Sequence, residues 1–179
     1  MKRCQTGFTL IELMVTVAIV AVLASLAAPS FRAMLVNRSV QAAADTLVSD
    51  MRFARSEALK RSTRTVICRS LNSTSCAGVG SWSDGWIVFV DMNSNSSVDA
   101  GDDIVKVQQS LPNIASIQSL NPGSDLPKFK YEPTGFAKSS SQTFIFTPTG
   151  TVSAGSTRLV CISNQGRPAL RSVGTSSCQ

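Results

Sequence analysis

The chain contains no histidine. This removes the commonest general base and the commonest metal ligand, so hydrolases and metalloenzymes would need an unusual cast of residues. It also lacks a Gly-x-Ser-x-Gly nucleophile turn and a glycine loop that could cradle phosphate. Its cysteines never fall in the close C-x2-C pairs of a structural zinc site. An enzyme is therefore not expected, and no cofactor is. Charge is sparse: seventeen Lys and Arg against eleven Asp and Glu give +6, which permits anionic partners without demanding them. Apolar residues are plentiful. At 43% of 179 residues they suffice for one folded domain with a core.

They are densest from Phe8 to Ala28, FTLIELMVTVAIVAVLASLAA, a run of twenty-one residues. As a helix this would reach about 31 Å, the hydrocarbon thickness of a bilayer. Lys2 and Arg3 precede it, which keeps the N-terminus cytoplasmic and places the rest outside. An ordinary secretory signal peptide has the same charged start, and Ser25-Leu26-Ala27 would serve it as a cleavage site. Two features oppose that reading. Glu12 lies near the start of the apolar run, where a carboxylate is costly without a specific partner. Beyond Pro29, helical periodicity resumes, with Val40, Ala44, Leu47, Met51, Ala54 and Ala58 on one face. The expectation is a long helix that leaves the membrane, bends at Pro29 and continues, with Arg52, Arg55, Lys60, Arg61 and Arg64 on its polar side.

After Arg64 short apolar runs alternate with Gly, Ser, Asn and Pro, the pattern of antiparallel strands. Strands are expected at residues 65–69, 86–91, 104–110, 115–120, 128–131, 143–146 and 158–163. The fold class is α+β: one long N-terminal helix packed on a globular domain of antiparallel β-sheet. Glu132-Pro-Thr-Gly135 and Thr147-Pro-Thr-Gly150 form a short internal echo, each a turn before a strand. Asn164-Gln165-Gly166 adds a third turn, which suggests a meander running to Val173. Of five cysteines, Cys4 sits in the basic N-terminal stretch, leaving Cys68, Cys76, Cys161 and Cys178. Spacing suggests the most local of three connectivities, Cys68 with Cys76 and Cys161 with Cys178, in an oxidising compartment such as the periplasm.

Three other groups invite a functional reading. Asp91, Asn93, Asn95 and Asp99 place oxygen ligands at alternate positions, as a calcium loop does. Ser96 stands where such a loop needs Gly, and Asp102 replaces its long terminal Glu, so a solvated loop is the preferred account and no metal is expected. Trp82 and Trp86 flank Asp84-Gly85 and suit a core contact at a strand entrance better than a platform for stacked bases. Arg158, Arg167 and Arg171 crowd the last quarter of the chain. They could hold a phosphate backbone without reading sequence, or could simply flank an edge strand.

Gly7-Phe8-Thr9-Leu10-Ile11-Glu12 resembles the class III leader of type IV prepilins and type II secretion pseudopilins. The resemblance implies cleavage after Gly7 by a prepilin peptidase and methylation of the Phe8 amine. It also implies that Glu12 pairs with the Phe8 ammonium of a neighbouring subunit during assembly. Residues 1–7 are then the leader, 8–28 the transmembrane half of the helix, 29–63 its amphipathic half and 64–179 a periplasmic domain. The implied location is the inner membrane, single-pass, and then the assembled filament, whose other subunits are met through the helix. Further along, Phe53-Ala-Arg-Ser-Glu-Ala58, the loop Cys68 to Cys76, Trp82-Ser-Asp-Gly-Trp86 and Gly166-Arg167 resemble the GspH and FimT family of minor pilins and pseudopilins. FimT-type members are linked to DNA uptake through a Gly-Arg-x-Arg element near the C-terminus. Here Arg167 matches it and Arg171 is displaced by two residues, which on an extended strand keeps the same face. A minor pilin that contacts DNA is the leading expectation, and a minor pseudopilin of a type II secretion system is its rival. A secreted enzyme behind an ordinary signal peptide comes last.

Overall fold

A computed structural model of the chain describes residues 7–120, 126–137, 142–150 and 156–171. Two compact units emerge, residues 1–35 and 36–179. Helix α1 (Leu10–Arg61) begins in the first and ends in the second, and its helical assignment runs through Pro29.

In the first unit Thr9 caps the helix: its hydroxyl oxygen accepts a hydrogen bond from the Glu12 amide at 3.3 Å. The leader-like motif therefore doubles as a Thr-x-x-Glu helix start, with an acidic residue at the positive end of the helix dipole. Ile11, Leu13, Val17, Leu23 and Leu26 are all exposed in the isolated chain. An 18-residue window here is long and apolar enough to cross a membrane, and none of it is buried. Such a surface is unstable in water and calls for lipid or neighbouring helices.

Among the described residues the second unit has eight strands in two antiparallel sheets. Sheet A is ordered β3 (Asp103–Gln108), β2 (Trp86–Asp91), β1 (Arg64–Arg69), β5 (Lys128–Tyr131). Sheet B is ordered β4 (Ile114–Leu120), β6 (Gln142–Pro148), β7 (Arg158–Ile162), β8 (Pro168–Arg171). The helical face expected from periodicity is the one buried: Val40, Ala44, Leu47, Met51, Ala54 and Ala58 are each at 0% exposure. They join Ile67, Trp86 and Val88 of sheet A and Phe144, Phe146 and Val160 of sheet B in one core. Burial of side chains the size of Leu47 and Met51 stabilises by about 1.5–3 kcal/mol each.

Sheet A is covered on its other face too. There Val66, Cys68, Ile87 and Phe89 form a second cluster under Cys76, Val98 and Ile104. Both faces of β2 are thus dry, which is why it reads as an unbroken apolar run rather than an alternating one. Trp82 and Trp86 are core residues at 0% exposure, with ring centroids 6.4 Å apart. Trp82 occupies a 3-10 turn (Trp82–Asp84) whose Asp84 carboxylate accepts from the Ser81 amide at 2.8 Å. Gly85 follows at φ 119°, and a Cβ there would stand 2.5 Å from the Gln108 carbonyl oxygen, so the Trp-Ser-Asp-Gly-Trp segment admits only glycine at that point.

The two Pro-Thr-Gly turns are not structurally equivalent. The first follows β5 of sheet A, and the second follows β6 of sheet B, before the chain returns as β7. The meander is therefore β6-β7-β8 alone. Cys68 and Cys76 are disulfide-bonded. Cys161 is also in a disulfide, and the Cys178 half of the expected pair lies outside the described residues.

Candidate functional site

Three kinds of charged group occur in the second unit, and their surroundings separate them. The first kind is buried and spent on structure. Asp50 is at 0% exposure on the core side of α1, where its Oδ2 accepts from the Trp86 indole at 2.8 Å and its Oδ1 pairs with the Lys106 ammonium. Arg69, at 5% exposure, donates to the carbonyls of Ala77, Gly78 and Gly80 at 3.3, 2.6 and 2.7 Å. It gathers the segment just after the disulfide-closed loop around a buried cation whose donors are satisfied by backbone carbonyls.

The second kind ties the end of the helix to the loops. Arg61 bridges Glu57 at 2.8 Å and Asp103 at 2.7 Å, and these bonds, that to Asp103 first, raise its pKa further. Arg64 pairs with Glu132 at 3.1 Å and donates to the Ser94 carbonyl. The calcium-like run lies here and is occupied with itself. Asn93 and Asn95 amides donate to Asp99 Oδ2 at 2.9 and 2.6 Å, which holds the Asp99 carboxyl below the usual range. Asp91 and Asp102 accept from the backbone amides of Ser96 and Met92, and the Lys128 ammonium sits on the Ser96 carbonyl. Among the described residues no three acidic or cysteine side chains group as a metal site would need.

The third kind is Arg52, Arg55 and Arg167. Among the described residues none of the three has an ion-pair partner. They line one groove of about 530 Å³ with Ser56, Leu59, Pro168 and Ala169. The basic group expected on the helix is thus divided: Arg64 is not helical but opens β1 and pairs with Glu132, Lys60 and Arg61 pair with Glu57, and Arg52 and Arg55 have no ion-pair partner among the described residues.

The local fold explains why Arg167 arrives there. Ser163 to Gly166 is a turn closed by the Gly166 amide donating to the Ser163 carbonyl at 2.8 Å. Gly166 has φ 75°, and a Cβ on it would stand 2.8 Å from the Tyr131 ring, so only glycine lets this hairpin lie flat on the domain. The Tyr131 hydroxyl donates to the Gly166 carbonyl at 3.2 Å. Burial pushes the Tyr131 phenol above its ordinary pKa, with the Arg55 charge opposing the shift. The Gly-Arg pair is therefore one device: glycine for the close approach, arginine delivered beside the helix.

Arg171 ends the edge strand β8, on the same outward side as Ala169 and about 13 Å along from Arg167. It is exposed. Arg158 departs from the expected trio. Register sets Leu159 opposite Arg171, so Arg158 points to the other side of sheet B, where it donates to Gln41 Oε1 of α1 at 3.0 Å. Its charge holds helix to sheet rather than joining Arg167. Sequence reasoning missed Asp50 and Glu57 as buried charges, although both fall at helical spacing within the apolar stripe of α1.

A family model described as type II transport protein GspH matches residues 43–170. One for the prokaryotic N-terminal methylation motif matches residues 2–28. The pilin-like protein PilA1 of Thermus thermophilus is 31% identical over 172 residues, 93% of this chain and 98% of that protein. Among solved structures, the type IV minor pilin FimU of Pseudomonas aeruginosa superposes with a TM-score of 0.57 at 20% identity, over 75% of this chain and 89% of that one. The minor pseudopilin EpsH of the Vibrio cholerae type 2 secretion system gives 0.53 at 12% identity, over 76% and 99%. With one apolar N-terminal helix, two antiparallel sheets among the described residues and matches that run nearly its full length, this chain belongs to the GspH family of pilin-like proteins.

Proposed function

We propose that the chain is a minor subunit of a type IV pilus that also binds DNA without sequence preference. Assembly uses the first unit. Cleavage after Gly7 frees the Phe8 amine for methylation, residues 8–28 anchor the subunit in the inner membrane, and the second unit stands in the periplasm. Within the filament the Glu12 carboxylate, exposed in the isolated chain, pairs with the Phe8 ammonium of a neighbour, which sets the axial register of packed helices. Mass spectrometry of the mature protein tests the processing: methyl-Phe8 is the expected N-terminus, and a start near Ala28 would overturn it.

The observation that carries DNA binding is the gathering of Arg167 with Arg52 and Arg55, all without ion-pair partners among the described residues, around one groove. Arg171 extends the line along the edge strand. Free guanidiniums facing solvent recognise phosphate by charge and by bidentate hydrogen bonds, and neither depends on base sequence. Titration of the full-length protein in non-ionic detergent with labelled DNA at two salt concentrations tests this. Affinity should fall steeply with salt, and Arg167→Ala with Arg171→Ala should weaken it. Unchanged binding in that double variant would remove the site.

The second reading is a minor pseudopilin of a type II secretion system. It is favoured by the description of the matching family and by the EpsH superposition. Deleting the gene in its host separates the two, since loss of pili or of DNA uptake supports the first and loss of protein secretion the second.

A further inference from the structure

The groove beside Arg167 is not purely basic. Leu59 forms part of its wall and is 50% exposed. The turn that begins at Glu132 closes onto that side chain, because a Cβ on Gly135 would lie 3.0 Å from Leu59. The next residue, Phe136, is 53% exposed. Its neighbours flank the Gly166 hairpin: a Cβ on Gly166 would lie 3.1 Å from the Gly135 carbonyl oxygen and 3.2 Å from the Ala137 amide nitrogen. Phe136 therefore stands beside the backbone that delivers Arg167.

Among the described residues of the second unit, Phe136 is the one strongly exposed aromatic. Trp82, Trp86, Phe129, Phe144 and Phe146 are at 0 or 1%. A half-exposed Phe and a half-exposed Leu next to three arginines without ion-pair partners among the described residues form a surface of two chemistries, one for phosphate and one for a flat apolar face. Duplex DNA offers only the first, because its bases are stacked inside the helix. A single strand offers both: a flexible phosphate backbone, and bases whose faces stack on aromatic and guanidinium groups. An anionic bilayer also combines charge with an apolar phase, but it presents a broad surface, whereas the three arginines and Leu59 line an open concavity of about 530 Å³, with Phe136 next to the Gly135 backbone that closes on Leu59. That volume is of the size of small-ligand sites, and its open shape suits a strand lying along it rather than an enclosed ligand.

We infer that this groove prefers single-stranded DNA, with the backbone on Arg52, Arg55 and Arg167 and a base against Phe136 and Leu59. The inference rests on the DNA-binding reading above and adds the form of DNA preferred.

The test uses the full-length protein in non-ionic detergent and fluorescence anisotropy with three probes. These are a labelled single strand of about 12 nucleotides, a hairpin duplex containing the same sequence, and vesicles of phosphatidylglycerol. The single strand should bind about tenfold more tightly than the duplex, and Phe136→Ala should lower single-strand affinity by about tenfold while changing duplex affinity less than about twofold. Phe136→Trp should keep the preference, which separates stacking from a loss of fold, and the melting temperature of each variant is recorded alongside. Equal binding of both DNA forms, unaffected by Phe136→Ala but weakened by Arg167→Ala, would overturn the inference and leave the backbone reading standing. Binding to neither DNA form would overturn both readings, and vesicle binding that Phe136→Ala abolishes would reassign the surface to lipid.

Discussion

Arg69 and Arg167 each stand at a strand end, and the fold treats them in opposite ways. Arg69 closes β1 at 5% exposure with three carbonyl partners, whereas Arg167 opens β8 in solvent with no ion-pair partner among the described residues. A guanidinium taken out of water must have its donors satisfied, so Arg69 is consumed by the loop it organises. One left in water is free to exchange its hydration for an anion. Position in the sequence does not distinguish them. What distinguishes them is whether the neighbouring backbone supplies acceptors, and the Gly166 turn presents none to the Arg167 side chain.

The largest expected effect comes from Arg69→Ala. Three charge-assisted bonds from a buried guanidinium are lost along with the side chain that anchors an otherwise exposed loop, so stability should drop by about 4 kcal/mol. That corresponds to a fall in Tm of roughly 10 °C by circular dichroism, with DNA affinity unchanged. A Tm within about 2 °C of the parent would break the contrast, since Arg69 would then be no more structural than Arg167.

Next in size is the disulfide that shares this loop. Replacing Cys68 and Cys76 together by Ala should cost about 2.5 kcal/mol, from the chain entropy released over a sequence separation of 8. Combined with Arg69→Ala the loss should be less than additive, because both devices order the same segment and either one already frees most of it. Strict additivity would mean that the two restrain different regions.

Smaller still in stability, and reversed in function, are Arg52→Gln, Arg55→Gln and Arg167→Gln. Each should change stability by less than about 0.5 kcal/mol, because no partner is orphaned. Each should reduce the slope of log affinity against log salt by about 1. A variant of this set that melts early would place that arginine with Arg69.

The half-buried helix and most strands were legible because their signal is local. Val40 to Ala58 recur at helical spacing, and β2 sits between turn residues. Asp50 escaped because a pattern of apolar residues skips a carboxylate, and its partners Trp86 and Lys106 lie on two strands that only the tertiary fold brings near. The grouping of Arg167 with Arg52 and Arg55 is illegible for the same reason: it depends on the hairpin docking through Gly166 against Tyr131. Arg158 looked equivalent to Arg171 because both are basic and near the C-terminus. Strand register, which sets Arg171 opposite Leu159, puts them on opposite sides of sheet B. The Pro-Thr-Gly echo misled in the reverse direction, since turn chemistry repeats but the sheets it joins do not.

The smallest expected effect contrasts the two loops that cover sheet A. Loop 70–80 is held by a guanidinium on carbonyls and by a disulfide, and neither of these titrates in acid. Loop 91–102 is held by carboxylates, among them Asp99, whose pKa is lowered by hydrogen bonds from Asn93 and then Asn95. A depressed carboxyl stabilises the fold above its unfolded value of 3.8, and that contribution is lost as pH falls through the lower folded value. Carbon-detected NMR should find Asp99 titrating below the ordinary value of 3.8, and Asn95→Ala should move it back towards that value. Amide exchange should accelerate in residues 92–99 as pH falls below the unfolded value of 3.8 and through the lower folded one, while the loop around Arg69 keeps its protection. Equal acid sensitivity in both loops would show that the bonds to Asp99 do not hold its loop, because the Arg69 bonds contain no acid-titrating group that could account for the change.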